Sequence, residues 1–464
     1  MKKYNIFLVL IWLVIVCFTA FNHEIWRDEA QVWCIIRDLN IFDAFSAARI
    51  EGHPFLWYLL IMPFAKLGLP VETMQFVGIF IVFVSVVFFV FKSPFTAFQK
   101  TIVILSAGML YYLPIVVRNY ALIPLLIFLL AYLYEKREEK PYLYSILIIL
   151  LSHTHLYMLG FCGALFLLFA YEQIKKKNWN DLKPIFLLVL NFVFIFLFFY
   201  NTQNENYALD STVKTTLSFV GVLSLIAKVL FYNLAKISTL TIKYFDYISI
   251  FLFYPFVVAI LSSLVKNDKK CAFIAFCGIG FILFVFTQIY FNGILYQKIF
   301  LIFLMLIFCV WIAKVKTKVL MFSFNVLFIV GMLVSPFVIT EEIKYNFSGG
   351  KQIASYIKEN YKEEKTFVTV GNPFLFSTIS AYLPDKKFYN VIVEDYTSFY
   401  TYASRKNEDK KHFPNDAEIN IVTEKADLQD NPYFEFEFSS DDKNISSATE
   451  REVFKIYKKK KAMI

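Results

Sequence analysis

The chain has 464 residues, 58% hydrophobic and 19% aromatic, a composition too apolar for an ordinary soluble domain. Its net charge of +9 does not indicate nucleic-acid binding, because the cations lie in connectors between apolar runs, where they set orientation and meet anionic head groups. Six cysteines, five of them inside apolar runs, do not indicate a disulfide framework and have no metal-ligand spacing.

Apolar runs of membrane-spanning length predict an α-helical polytopic membrane protein. Lys2 and Lys3 place the N-terminus in the cytoplasm. No convincing cleavage site follows the first run, so we predict that it stays as a transmembrane helix. The spacing predicts about eleven transmembrane helices. They are residues 4–21, 72–91, 101–117, 121–134, 141–152, 156–171, 184–200, 244–265, 271–291, 299–313 and 319–339.

Residues 55–67 decide the topology, because they are apolar but shorter than the roughly 20 residues that a crossing needs. Pro63 and Lys66 also interrupt this run. A full crossing here would put nearly all lysine-rich connectors outside the cell, whereas an interfacial helix puts every short one in the cytoplasm. We therefore predict an interfacial helix in the first external loop of a multi-pass cell-membrane protein, with the C-terminus extracytoplasmic.

Two other regions do not resemble membrane spans. Residues 202–243 mix polar and amphipathic stretches and predict external helices lying on the bilayer. From Glu341 onward, helical periodicity alternates with short strand-like runs, which predicts a small extracytoplasmic α/β domain. The predicted domains are therefore a transmembrane domain, 1–340, and an α/β domain, 341–464.

Within the predicted α/β domain, the helical and strand-like runs alternate along the chain. The helices are predicted at 350–361 and 374–383, and the strands at 366–370, 388–393 and 419–423. The basic end, residues 458–461, has the composition of a solvated tail. No glycine-rich phosphate loop occurs in this region, which argues against a nucleotide site.

Ionisable and polar residues gather at the outer membrane boundary of this topology, where charge is costly and invites a functional interpretation. Each of these residues alone is a weak indication of function, so the argument for a functional site depends on their occurrence at the same boundary. They come from separate parts of the chain and include Asp28, Glu29, His53, Arg118, Tyr120, His153, His155 and Lys298.

Each group also has a simpler structural explanation. The acidic pair suits the start of a surface helix, and His53 with the proline after it suits a helix entry. Arg118 taken alone is better explained by a guanidinium that reaches the head groups. His153 and His155 are two residues apart and diverge by roughly 200° on a helix, which disfavours a metal site built from this pair.

Four motifs follow one another in the first third of the chain: Trp26-Arg27-Asp28-Glu29-Ala30, His53-Pro54-Phe55-Leu56-Trp57-Tyr58, Val117-Arg118-Asn119-Tyr120 and Ser152-His153-Thr154-His155. In this order and spacing they resemble the C-type (GT-C) membrane glycosyltransferases, specifically bacterial relatives of the protein O-mannosyltransferases and of the lipid A aminoarabinose transferase. Many relatives have His-Pro-Pro at the second motif and Arg-Pro-Tyr or Arg-Met-Tyr at the third. These departures leave the sugar and the acceptor open.

The resemblance implies a transferase that takes a sugar from a polyprenyl-phosphate donor at the outer leaflet and passes it to a hydroxyl of an acceptor glycan, lipid or protein. Asp28 would be the general base on that hydroxyl. Arg118 or Lys298 would offset the charge on the leaving phosphate. Whether a divalent cation takes part stays open. The residues implied to bind substrate or donor are Glu29, His53, Arg118, Tyr120, His153, His155 and Lys298.

Two other classes of function compete with this interpretation. A transporter or flippase of lipid-linked saccharides predicts broken or charged helices near the midplane and an internal repeat, and the sequence indicates neither. A non-catalytic receptor that reads ligands through residues 341–464 leaves the polar groups of the first third unexplained.

Overall fold

The structure is a computed structural model that describes residues 2–176, 182–200, 219–235, 242–289, 296–371, 373–391, 393–400, 419–423, 428, 433–440 and 452–460. The α-helices in these ranges are α1 (Lys2–Ala20), α2 (Arg27–Asp38), α3 (Ile41–Ile50), α4 (Leu56–Lys66), α5 (Thr73–Lys92), α6 (Ala97–Ile104), α7 (Ile123–Leu133), α8 (Pro141–Ser152), α9 (Leu159–Lys175), α10 (Leu182–Phe199), α11 (Phe219–Ala235), α12 (Ile242–Asn267), α13 (Lys269–Phe284), α14 (Tyr296–Ile312), α15 (Lys318–Lys344), α16 (Gly350–Asn360) and α17 (Pro373–Tyr382). The strands are β1 (Thr366–Val370), β2 (Lys387–Asn390), β3 (Asp395–Tyr396), β4 (Ile419–Thr423), β5 (Phe434–Ser439) and β6 (Phe454–Lys459).

The chain is a multi-pass membrane protein by the length and composition of its helices. Among the described residues, seven helical segments are long and apolar enough to cross a bilayer. They are Lys2–Ala20, Thr73–Lys92, Asn119–Lys136, Leu156–Lys175, Leu182–Phe199, Lys269–Gln288 and Lys318–Lys344. Shorter apolar helices occur at Leu56–Lys66, Pro141–Ser152, Phe253–Asn267 and Tyr296–Ile312.

The run predicted as one crossing at residues 101–117 is divided in the structure. Helix α6 ends at Ile104, and a π-helical turn, Gly108–Tyr112, follows before the chain loses helical structure. Gly108 lies directly against the Phe300 ring, where a Cβ atom would clash, so glycine permits this close approach. Pro114, two residues beyond the turn, has no backbone N–H to continue a helix. The apolar pattern alone did not reveal this break.

The chain forms two compact units. The first comprises Met1–Cys17, Arg49–Trp57 and Gly78–Val338. The second comprises Phe18–Ala48, Tyr58–Val77 and Ile339–Ile464. The domain boundary at residue 340 stays a prediction. The second compact unit combines two early segments, Phe18–Ala48 and Tyr58–Val77, with the C-terminal part of the chain.

In the first unit, helix α14 forms the centre and is buried over most of its length. It packs against α7, α13 and the π-helical turn. At one end of this bundle the Arg137 guanidinium donates to both carboxylate oxygens of Glu172, with Nε–Oε2 at 2.9 Å and Nη2–Oε1 at 2.9 Å, and Lys270 also contacts this carboxylate. Such pairing allows charge to be half-buried at the end of an apolar helix.

In the second unit, amphipathic helix α2 buries Val32, Trp33, Ile35 and Ile36. It packs against α17, and the Arg37 Nη1–H donates to the Ser380 carbonyl at 2.9 Å. Helix α2 begins with a capping box, in which the Glu29 carboxylate accepts from the Trp26 backbone N–H at 3.1 Å. The start of α2 is therefore firmly fixed.

A sheet in the second unit has the strand order β3-β2-β1-β4-β6-β5 in the described part of the chain. β1 pairs in parallel with β2 and β4, and the other pairings are antiparallel. The predicted strands at 366–370, 388–393 and 419–423 correspond to β1, β2 and β4, and the predicted helices correspond to α16 and α17. The small C-terminal α/β region is therefore present.

The expectation of a solvated tail at residues 458–461 was wrong in part, because Lys458 and Lys459 end strand β6, which lies between β4 and β5. Phe454, Ile456 and Tyr457 are buried. The lysines at the end of β6 dominate the composition of residues 458–461, so this composition alone did not indicate a strand with buried apolar residues. Residues 461–464 lie outside the described residues.

Candidate functional site

Five of the predicted site residues belong to the first unit and lie in one neighbourhood, which we call the imidazole–cation cluster. His53 precedes α4, Arg118 and Tyr120 lie at the start of a 3₁₀-helix, His155 precedes another, and Lys298 lies in the first turn of α14. Irregular backbone at these positions lets side chains from distant parts of the chain converge.

The hairpin of α7 and α8 explains how Tyr120 and His155 meet. α7 has 11 residues and α8 has 12, so the chain leaves and returns over nearly the same length. The Asn119 side-chain amide donates to the Thr154 carbonyl at 2.7 Å and ties the two ends together. The Tyr120 hydroxyl consequently lies 2.8 Å from His155 Nε2.

Arg118 and His53 form the second contact of the cluster. Nη2 of Arg118 lies 3.1 Å from Nε2 of His53. Because a guanidinium can only donate, His53 Nε2 accepts and the ring proton of a neutral His53 lies on Nδ1. This Nδ1 is buried and has no hydrogen-bond partner among the described residues. The cluster therefore contains a buried N–H group available to a ligand.

Electrostatics keep both imidazoles neutral. Burial, together with the nearby charges of Arg118 and Lys298, lowers the pKa of His53 to about 3. Burial also lowers the pKa of His155 well below its ordinary value, with further contributions from His53, Lys298 and Arg118. Arg118 and Lys298 are then the cations of this cluster, and the imidazoles provide hydrogen bonds without charge.

Lys298 is buried and belongs to the same neighbourhood through its effect on both imidazoles. Its ammonium nitrogen lies 5.8 Å from the centre of the Tyr157 ring, within the range of a cation–π contact. The Tyr157 ring in turn stacks on His155 with a centroid separation of 4.5 Å. An ammonium is thus held beside the aromatic side of the cluster.

His153 separates from this group, although the sequence placed it with His155. Its Nε2 lies 2.9 Å from the Asn191 side-chain oxygen, and its ring packs near Phe194 at 5.8 Å. The Asn191 amide also donates to Ser152 Oγ at 3.0 Å. His153 is the C-cap residue of α8, whereas the backbone of His155 is extended. The two imidazole rings therefore point in different directions. The structure gives His153 a contact with α10.

The acidic residues Asp28 and Glu29 belong to the second unit. Glu29 is fully buried, and its Oε2 lies 3.1 Å from His23 Nε2 in addition to capping α2. Asp28 is partly exposed, with a side-chain exposure of 17%, and its Oδ1 lies 3.8 Å from Nε of Arg27. Glu29 is thus held by protein groups, whereas Asp28 retains access to solvent.

Sequence reasoning missed the partners of this acidic pair. His23 lies between two carboxylates, with Nδ1 2.9 Å from Glu342 Oε1 and Nε2 facing Glu29. Burial opposes a charge on His23, but Glu29 and Glu342 outweigh it and raise its pKa to about 10. The available signal was Glu342 directly after the last apolar run, at the same predicted boundary as His23.

Two further carboxyl groups surround the start of α2. Burial raises the pKa of Glu24 to about 7, despite opposing effects from Lys351 and His23. Burial raises the pKa of Glu452 to about 8, and its Oε1 accepts from the Arg27 backbone N–H at 3.3 Å. Of these two carboxyl groups, Glu452 is the one on which the charge of Asp28 acts, and it raises the pKa of Glu452 further.

We expect Glu342→Gln to lower the thermal midpoint of the detergent-solubilised protein, corresponding to a loss of about 2 kcal/mol, because a charged hydrogen bond to His23 is removed. The raised pKa of His23 contributes stability that is complete below about pH 6.5 and is lost as the pH rises through about 10. The difference in midpoint between wild type and variant should therefore shrink from about pH 7 to about pH 10. An unchanged difference over this interval would contradict a charged His23.

Metal binding finds little support in these groups. Among the residues that the structure describes, no group of three or more His, Cys, Asp or Glu side chains is arranged to hold a metal ion. In the imidazole–cation cluster, His53 Nε2 accepts from Arg118, and His155 Nδ1 accepts from the Tyr157 backbone N–H at 3.2 Å. A metal ion would have to displace these donors, since it requires the same lone pairs.

Comparison with protein-family models, curated proteins and solved structures finds no match to this chain. The resemblance to the C-type membrane glycosyltransferases therefore stays a prediction from its motifs.

Proposed function

We propose that this protein is an integral membrane glycosyltransferase. It transfers a sugar from a polyprenyl-phosphate donor to a hydroxyl of a cell-envelope glycan, a lipid or a protein. The observation that carries the proposal is the imidazole–cation cluster, in which Arg118 and Lys298 accompany two neutral imidazoles at the end of apolar helices. A desolvated set of N–H donors and cations suits a phosphate group that is anchored in lipid.

The leaving group explains why cations are needed. When the bond between the anomeric carbon and the phosphate oxygen breaks, its electron pair leaves with the polyprenyl phosphate. Arg118 offsets the growing charge, and its planar guanidinium can make two parallel hydrogen bonds to phosphate. Lys298 adds a second positive charge, and His53 Nδ1–H a neutral donor.

The acceptor must lose a proton while its oxygen forms the new bond to the anomeric carbon. We assign this proton to the carboxylate of Asp28, because it is the partly exposed member of the acidic pair. Glu29 holds the start of α2 in place, through the Trp26 backbone and His23. A single displacement of this kind inverts the configuration at the anomeric carbon.

The membrane arrangement in the proposal follows from charge and length. We propose about eleven transmembrane helices in the cell membrane, the N-terminus in the cytoplasm and the C-terminal α/β region outside. Helix α4 has 11 residues and is about 16 Å long, too short for a crossing, which supports an interfacial position. The donor lipid then reaches the protein within the outer leaflet.

The proposal is tested with the purified protein in nanodiscs. The protein is incubated with synthetic polyprenyl-phosphate donors, each of which carries a different labelled hexose or pentose, and with envelope fractions as acceptors. We expect one donor to lose its label to an acceptor with release of polyprenyl phosphate. Comparing envelope glycans of cells with and without the gene identifies the acceptor. No transfer from any of these donors would refute the proposal.

A flippase of lipid-linked saccharides is the second candidate, because the break between α6 and Tyr120 resembles the discontinuous helices of transporters. Proteoliposomes with a labelled donor in one leaflet separate the two activities. Movement of the intact donor between leaflets without transfer of the sugar would favour the flippase.

A further inference from the structure

The side chain of Gln297 bridges the break in the third apolar run. Its Nε2 donates to the Tyr112 carbonyl at 3.2 Å and to the Val116 carbonyl at 3.3 Å. These carbonyls lie on either side of Pro114, where the chain has left the π-helical turn and has not yet begun the 3₁₀-helix at Asn119–Leu122. Because both partners are carbonyl oxygens, the group between them must be the NH₂ of the amide, which has one hydrogen for each.

Burial makes these two hydrogen bonds important for the course of the chain. Gln297 is 2% exposed and Val116 is 3% exposed. A carbonyl group buried among apolar side chains needs a donor, and irregular backbone at membrane depth is tolerated where protein groups supply one. Gln297 therefore stabilises one particular path of the backbone between Tyr112 and Val116.

Aromatic contacts from the same part of α14 support the broken segment. The Tyr112 ring stacks on Tyr296 with a centroid separation of 4.2 Å and an interplanar angle of 14°. The Phe300 ring occupies the place that a Cβ atom on Gly108 would need. Tyr296, Gln297 and Phe300 lie within five consecutive residues, so the beginning of α14 holds the chain from the π-helical turn to Val116.

Gln297 also connects the backbones of the two cations of the imidazole–cation cluster. Arg118 follows Val116 by two residues, and Lys298 follows Gln297 directly. A short path therefore joins Arg118 to Lys298 through the hydrogen bond between Gln297 and Val116, although these last two are 181 positions apart along the chain. The charges of both cations act on both imidazoles of the cluster, so the two cations share one neighbourhood.

We propose that Gln297 is a positioning residue that sets the spacing between Arg118 and Lys298 for the phosphate of the lipid-linked donor. This inference rests on the proposed function. Two cations stabilise a phosphate best when both reach its oxygens at once, which requires that their backbones are held at a fixed separation. Gln297 contacts no reacting atom in this role and acts through the segment that leads to Arg118.

Replacing Gln297 by methionine should weaken the binding of farnesyl phosphate to the protein in nanodiscs by about tenfold. Methionine has a similar length but no N–H group, so the segment before Arg118 loses this support. The kcat for sugar transfer should fall by between about tenfold and a hundredfold, because a small misplacement of a charge-stabilising group is costly, and the KM for the acceptor should not change. Wild-type binding of farnesyl phosphate by Gln297→Met would overturn the inference.

Gln99→Met is the matched control, because Gln99 is also a buried glutamine of the first unit. Its amide donates to Asn325 Oδ1 at 3.1 Å and accepts from the Thr96 N–H at 3.0 Å, and neither partner belongs to the cluster. This variant should lower the thermal midpoint about as much as Gln297→Met does, yet bind farnesyl phosphate as wild type does. Equal weakening of binding in both variants would leave Gln297 with a structural role alone.

A double variant shows whether Gln297 acts through Arg118. In the Arg118→Ala protein, Gln297→Met should weaken the binding of farnesyl phosphate by less than about twofold, because the cation whose place it fixes is gone. Two effects that multiply in the double variant would contradict the positioning role.

The His53 ring reports the position of Arg118 without any activity, because Nη2 of Arg118 lies 3.1 Å from His53 Nε2. In spectra of protein with ¹⁵N-labelled histidine, the signal that disappears in His53→Gln should shift in Gln297→Met and stay in place in Gln99→Met. An unchanged His53 signal in Gln297→Met would show that Arg118 has not moved. Should Gln297→Met fail to fold, Gln297→Asn takes its place, since its shorter amide cannot reach both carbonyls unless the segment moves.

The same measurements separate failure of this inference from failure of the proposed function. If Gln297→Met weakens the binding of farnesyl phosphate but no sugar donor is used, the positioning role stands and glycosyl transfer fails. If sugar is transferred but Gln297→Met binds farnesyl phosphate as wild type does, the positioning role fails and the transferase stands. Wild-type protein that does not bind farnesyl phosphate would also overturn the inference.

Discussion

Replacing Asp28 by asparagine should lower sugar transfer by about a thousandfold, because the acceptor hydroxyl loses the carboxylate that takes its proton. The side chain keeps its size and its place in the first turn of α2, and Glu29 still caps that helix. The protein should therefore insert and fold as before. Initial rates with the labelled polyprenyl-phosphate donor identified in the transfer assay measure the effect.

Asp385→Asn is a matched control, since Asp385 is an exposed acid in the same unit. It should transfer sugar at the wild-type rate. Binding of farnesyl phosphate should be the same in both variants, because the proposed role of Asp28 concerns the acceptor and not the phosphate. Full activity of Asp28→Asn would exclude this carboxylate as the base.

Replacing Arg118 by alanine should lower kcat for transfer by at least about a hundredfold, because the leaving phosphate loses its guanidinium. Binding of farnesyl phosphate should weaken by between about tenfold and a hundredfold, the usual effect of a lost charged hydrogen bond. Arg118→Ala also removes the donor to His53 Nε2, so the position of the His53 proton is no longer fixed. Titration of farnesyl phosphate in nanodiscs measures binding separately from turnover.

Two other variants show whether charge or geometry matters at this position. Arg118→Lys keeps the charge without the planar fork, so it should recover only part of the binding. Lys92→Ala removes an exposed cation from the end of α5 in the same unit and should change neither quantity. Wild-type binding and turnover in Arg118→Ala would remove the phosphate role from the proposal.

Helical spacing accounts for the part of the site that the sequence predicted. The apolar runs that form α7 and α8 are nearly equal in length. The polar residues that precede α7 and those that follow α8 therefore lie at the same end of this helix pair. This is how Tyr120 and His155, 35 residues apart, form a hydrogen bond. The same reasoning could not place His153, because its direction depends on where α8 ends and on Asn191, a polar residue within an apolar helix.

The break in the third apolar run shows a limit of hydropathy. Residues 101–117 are apolar throughout, and an average over them does not register a π-helical turn or a proline. The contact between Gly108 and Phe300 joins residues 192 positions apart, a distance that a window along the chain does not cover. The carboxylates that contact His23 and the Arg27 backbone were missed for the same reason, since Glu342 and Glu452 lie more than 300 residues beyond them.

The origin of the second unit from both ends of the chain has a consequence for biosynthesis. Residues 18–48 leave the ribosome early, yet the segment that buries the apolar side of α2 begins at residue 339, roughly 290 residues later. At ordinary rates of translation this delay lasts between about 15 and 60 s. During that time Trp33 and its neighbours need a temporary shelter, from a chaperone or the lipid surface, and a ribosome that stalls before residue 339 leaves them as a target for quality-control proteases.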